Sequence, residues 1–171
     1  MTPDTIKLLA RYNAHANAAM GRVLAQLDDE QWNRALGGYY PSIRSLCSHV
    51  FISDLAWLRR FATLRGFGYA RHEILSRTPT WGELLFPTFR DYAADRQAQD
   101  ELLTVFAEEL TDEDLAQRLR YKNFKGVDQE RPFAGLVLHM FNHQTHHRGM
   151  IALYLDLLGK ENDFSNLFAI L

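Results

Sequence analysis

The chain has 171 residues, 47% hydrophobic and 23% charged, with a formal net charge of −2, which excludes a disordered polypeptide and fits one globular domain over residues 1–171. It carries no Lys/Arg block to bind nucleic acid, no run near the roughly 20 apolar residues of a membrane helix, and no basic-then-apolar leader in its opening MTPDTIKLL, so a cytoplasmic protein is expected. Cys47 is the single cysteine, which excludes both an internal disulfide and a Cys-rich zinc site.

Apolar residues recur at three- and four-residue steps in four long stretches, the pattern of amphipathic helices. The first is predicted over Pro3–Leu27, with Ile6, Leu9, Ala10, Asn13, Asn17, Met20, Leu24 and Leu27 on its inner face. Gly37-Gly38 interrupts the chain. A second helix is expected from Ser42, a natural N-cap, to Leu64. Gly66 and Gly68 then open a crossover of about 15 residues, a length uncommon for a plain connection. Thr80-Trp81-Gly82-Glu83 has the capping-box spacing and announces a third helix ending near Leu110, which Pro87 should kink or delay. Alternation around Gly126, within residues 119–132, suggests a short β-hairpin, with an irregular loop as the alternative. Pro132 suits the first turn of a fourth helix that runs to Leu158 and stops at Gly159. The fold class is therefore all-α: a four-helix bundle with a long crossover between helices two and three.

The fourth helix contains HMFNHQTHHRGM, residues 139–150, with four of the seven histidines. At about 100° per residue, His139, His143, His146 and His147 share one arc with Leu136, Met140, Met150, Tyr154 and Leu157. That arc is apolar, so the imidazoles should face the interior, where they need hydrogen bonds or a metal. His139 and His147 are separated by a rise of roughly 12 Å and cannot share one ion. The pairs 139/143, 143/147 and 143/146 remain open, and all contain His143. Another helix must supply a third ligand. His15 lies near the charged side of the first helix and His72 in the crossover, whereas His49 in SLCSHVFISDLAWL shares a face with Leu46, Ser53 and Trp57. His49 is the natural third ligand. Cys47 points elsewhere and should pack as a small buried thiol. Histidines that merely satisfy one another in the core, or at a dimer contact, are the competing reading.

The segments SIRSLCSHVFISDLAWL and HMFNHQTHHRGM resemble the two signature segments of the DinB/YfiT-like superfamily of metal-dependent enzymes, and the order of helices extends the resemblance over the whole chain. The resemblance implies a divalent metal held by one histidine on helix two and an H-x3-H pair on helix four, here His49, His143 and His147. It also implies a homodimer, and a small-molecule reaction of thiol S-transferase type, using a low-molecular-weight thiol, or of hydrolase type. Imidazole ligands suit zinc and nickel, with iron or manganese as alternatives. A non-catalytic, stress-associated metal-binding bundle and a helical dimerisation module are the alternative functions. The back of the fourth helix (Ala134, Leu138, Phe141, Thr145, Gly149, Ala152) is apolar or small, as expected of a helix buried on two sides, whether by a dimer partner or by its neighbours in the bundle.

Polar residues also interrupt the apolar stripes: Asn13 and Asn17, His49 and Ser53, Arg96 and Gln99, His143 and His147. They are expected to meet in one layer, with the asparagines or Gln99 fixing imidazole tautomers. His139 and His146 are candidates to flank the site, and Arg148 is expected to be structural.

Overall fold

In the computed structural model, which covers residues 1–171, α1 (Pro3–Leu24) starts where Thr2 accepts a hydrogen bond from the Thr5 amide and Pro3 occupies the first turn. Both choices satisfy or dispense with amides that have no partner inside the helix. A single turn, α2 (Asp29–Asn33), follows behind an Asp28–Gln31 capping box and drives Trp32 into the core. The second long helix, α3 (Ile43–Phe61), begins at the expected Ser42 cap, where Ser42 and Ser45 cap each other reciprocally.

The crossover is longer than the sequence suggests. Thr80 does donate its amide to Glu83, at 2.7 Å, yet no helix grows from that turn. Gly82 and Phe86 both adopt positive φ, 83° and 53°, and Pro87 removes a further amide donor. The helix α4 (Phe89–Glu109) starts beyond Pro87, behind a second capping box formed by Thr88 and Asp91. Pro87 therefore delays the helix. The capping-box motif at Thr80 closes a local turn, which needs only one of the helix's many hydrogen bonds.

After α4 comes the short α5 (Asp112–Ala116), then an antiparallel hairpin of β1 (Arg118–Lys122) and β2 (Asp128–Pro132) with Arg120 opposite Glu130. Gly126, at φ 75°, makes its turn, so the hairpin reading of residues 119–132 holds. The last helix, α6 (Phe133–Leu157), starts directly from β2. The four long helices enclose one cluster of 33 buried apolar residues, with Phe51, Phe61, Phe106 and Phe133 among its largest members. Cys47 lies inside this core, where burial pushes its thiol up to about 12 and makes it inert. No helix is long and apolar enough to cross a membrane.

Candidate metal centre

Helices α3 and α6 pack side by side, and each turns its histidines into the seam between them. His49 stands two turns beyond the α3 cap, and His143 and His147 occupy successive turns of α6. The Nε2 atoms of His49 and His147 each lie 3.1 Å from Nε2 of His143. The three side chains can present one ligand atom each with all three atoms within 4.8 Å of one another. Two nitrogens bound at about 2 Å to one ion stand roughly 3.3 Å apart at a tetrahedral angle and about 2.9 Å apart at a right angle. The 3.1 Å of the two pairs made by His143 falls between these values, while the His49–His147 pair is held within 4.8 Å.

The electrostatics also fit a cation. Burial is the largest influence on each imidazole and holds His49 and His143 down to about 4 and His147 to about 3, with neighbouring histidines lowering the last two further. All three are neutral at pH 7, with a lone pair to give. Of the three options that helix spacing leaves open, the structure brings together His143 and His147. His139 and His146 are exposed and flank the site: the first ring lies 6.1 Å from His143, the second 4.9 Å from His147. His15 is exposed, and His72 caps a 3-10 turn in the crossover, accepting from the Ile74 amide.

Three aromatic residues complete the surroundings without any signal in the histidine spacing. Tyr40 stacks on His49 with ring centroids 4.3 Å apart, and its hydroxyl is 3.0 Å from His49 Nδ1. That contact presents Nε2 to the seam by occupying the other nitrogen. Tyr40 is held in turn from α6, where the Tyr154 hydroxyl reaches the carbonyls of Gly37 and Tyr40. Gly37 and Gly38 both have positive φ, and a Cβ at Gly38 would lie 2.7 Å from the Tyr154 hydroxyl oxygen. The Gly-Gly pair that interrupts the sequence thus shapes the loop behind His49. On the outer side, Trp81 sits edge-on to His49 at 5.3 Å and packs at a tilt against Phe124 from the hairpin turn.

The expected single polar layer divides in two. Asp100 accepts from Asn13 at 3.0 Å, Asn17 at 2.8 Å and Arg96 at 2.8 Å, and Arg96 also bridges to Asp54 at 2.8 Å. Arg148 donates to Asn13 and Asn17. Gln99 donates to the Phe51 carbonyl. None of these side chains bonds an imidazole. The asparagines and Gln99 therefore do not set the histidine tautomers, and Tyr40 takes that role for His49. Arg148 is structural, as expected, but inside this network. Helix-face reasoning finds polar positions but not which neighbouring helix they meet, and it passes over Asp54 and Asp100, the carboxylates that bind the network together.

A four-helix bundle with three convergent neutral imidazoles between two helices defines an all-α protein with a three-histidine cluster positioned to hold a metal ion. The match to known proteins is specific: the DinB family model covers residues 1–167, and the chain belongs to the DinB family. It is 26% identical over 156 residues, 88% of this chain and 84% of the relative, to "Protein DinB" of Bacillus subtilis (strain 168). Its fold is similar to that of a DinB-like protein from Bacillus cereus ATCC 10987, with TM-score 0.62, 18% identity and coverage of 87% and 89%. A DinB-like protein from Bacillus subtilis gives TM-score 0.63 at 15% identity, covering 93% of this chain and 97% of the other.

Proposed function

We propose that this protein binds one divalent metal through His49, His143 and His147 and is a metal-dependent enzyme acting on a small molecule, of thiol S-transferase or hydrolase type. The observation that carries the reading is the convergence of three neutral imidazole nitrogens with no carboxylate among them. A divalent ion there would lower the pKa of a thiol or water toward neutrality, or polarise a carbonyl. Zinc and nickel suit such a nitrogen set best, with iron and manganese behind them. The protein's own contribution is orientation: Tyr40 fixes His49 through its Nδ1, α6 carries His143 and His147 on successive turns, and Trp81 packs edge-on against His49. A cleft lined by Ile52, Ala56, Trp81 and Phe124 reaches the histidines through Trp81, which contacts His49, and this supports an enzyme over a closed structural site, because a substrate needs a concave surface leading to the ion.

Metal analysis after supplementation tests the reading. Wild type should hold about one divalent ion per chain, while His49→Ala and His143→Ala, each leaving two ligands, should lose at least tenfold in affinity. His15→Ala should match wild type. Wild type that never holds stoichiometric metal would retire the proposal.

A further inference from the structure

One face of α3 leads away from the three histidines. His49, Ile52, Ala56 and Arg60 follow at intervals of three, four and four residues, which places them in one row. Ile52 and Ala56 floor a cleft of about 300 Å³, Trp81 and Phe124 form its outer wall, and Arg59 and Arg60 line it as well. Its near end is the His49–Trp81 contact. From His49 to Arg60 the helix rises roughly 16 Å, and a helical side chain leans back toward the N-terminus, which shortens the span between the imidazole and the guanidinium.

The two arginines have no counterion. Arg59 donates only to the Leu75 carbonyl, and Arg60 only to the Lys122 carbonyl. Arg60 Nη1 is buried without a partner, in a box made by Trp57, Tyr121 and Phe124, with ring centroids 5.0, 5.6 and 4.6 Å from the guanidinium carbon. Burial pulls both arginines below the ordinary value, but not far enough to discharge a guanidinium at neutral pH. Arg65, Arg77, Arg96, Arg118 and Arg120 are paired to carboxylates, whereas Arg59 and Arg60 combine the lack of such a partner with partial burial in a cleft. The cleft thus combines apolar walls, two uncompensated positive charges and a neutral-ligand cation site at its other end. Such a surface selects an anion with an apolar body.

From this we infer that the cleft binds a small organic acid, with its oxyanion, carboxylate or phosphate, on Arg59 and Arg60 and its reactive end toward His49. The inference rests on the metal-centre reading for which end reacts, but not for the binding of the anion. Guanidinium forks match either oxyanion by paired hydrogen bonds. The aromatic pair Trp81–Phe124, joining the crossover to the hairpin, covers the hydrocarbon part.

Trp57 and Trp81 report on the cleft, so the test is tryptophan fluorescence titration of the zinc-supplemented full-length protein with hexanoate, hexyl phosphate and hexanol. At least one oxyanion should bind tenfold or more tighter than hexanol, and the tighter one identifies the head group. Arg59→Gln combined with Arg60→Gln should reduce the preference to twofold or less while zinc binding is kept. His143→Ala, which removes a metal ligand but neither arginine, should keep it. Equal binding of acid and alcohol by wild type, or a preference that survives the double substitution, would overturn the inference. A preference lost in His143→Ala would also overturn it, since the oxyanion would then be on the metal. Should the double variant fail to fold by circular dichroism, Arg59→Gln and a salt series decide: the preference must fall between about 20 mM and about 500 mM NaCl, as an ion pair requires, and a salt-independent preference counts against the site. If zinc never binds but the acid preference persists, the metal reading fails alone.

Discussion

His49, His143 and His147 carry a pH dependence whose sign follows from their burial. Burial holds them in the fold down to about 4, about 4 and about 3, against about 6.5 for an imidazole in an unfolded chain. Below about pH 6.5 the unfolded chain takes up protons that the folded chain refuses, so acid favours unfolding until the folded values are reached. The metal-free protein should keep a flat Tm above pH 7 and lose stability progressively between about pH 6.5 and about pH 3, a trend that thermal melts across the range would record. His147→Gln should make the slope shallower. Tyr40 gives a second test at the same scale. Tyr40→Phe keeps the ring stack on His49 and deletes the hydroxyl that occupies Nδ1. Zinc affinity measured by chelator competition should fall about 10- to 100-fold, with stoichiometry unchanged.

Among the elements, the loop before α3 and the buried charge network make the clearest demands. Gly38→Ala would place a methyl group 2.7 Å from the Tyr154 hydroxyl, at a backbone φ of 76°. Tyr154 must withdraw, and with it the anchor of the Tyr40 carbonyl. The variant should lose both stability and zinc affinity, whereas Gly21→Ala, with nothing near its added carbon and a helical backbone, should be neutral or slightly stabilising. Arg96 offers a contrasting case, since it bonds Asp54 and Asp100 and none of the histidines. Arg96→Met leaves Asp54 and Asp100 facing each other in the core without their shared guanidinium. A loss of about 3–5 kcal/mol is expected in chemical denaturation, since breaking a buried pair strands its partner. Zinc stoichiometry should survive wherever that variant remains folded.

These elements also show what the sequence discloses. Periodicity locates α1, α3, α4 and α6 because each is long enough for its apolar stripe to repeat. It misses α2 and α5, which are single turns with no period to read. It starts α4 too early because Thr80–Glu83 satisfies a capping pattern that a tight turn can use equally well. Face arithmetic brings His49 and His143 together, since an inward histidine on α3 has to meet the apolar arc of α6. It leaves the third ligand open between His139, His146 and His147, which differ mainly in height along α6. The family resemblance selects His147, and the structure brings its ring beside those of His49 and His143. Tyr40, Trp81 and Phe124 lie in loops, where no period relates sequence to position, so only the fold reveals them.

For the whole molecule, α6 poses a question of assembly. Its histidine face packs against α3 and its Arg148 side against α1, yet a strip between these faces is uncovered: Leu138 and Leu153 are 49% and 56% exposed, with Gly135, Asn142, Thr145 and Gly149 alongside. Between Arg131 and Asp156 the helix has only one charged side chain, Arg148, and that one is buried. An uncharged helical stripe about five turns long is costly to leave in water and can pack against its own copy about a two-fold axis, where small residues allow close approach. We propose that a homodimer forms across this stripe. Light scattering coupled to gel filtration should report a dimer for wild type and a monomer for Leu138→Glu combined with Leu153→Lys. Because these residues point away from the histidine seam, the monomeric variant should still bind about one zinc per chain. A wild-type monomer at every accessible concentration would show instead that α6 is built to lie bare. A variant that lost zinc along with its partner would place the metal centre under the control of the interface.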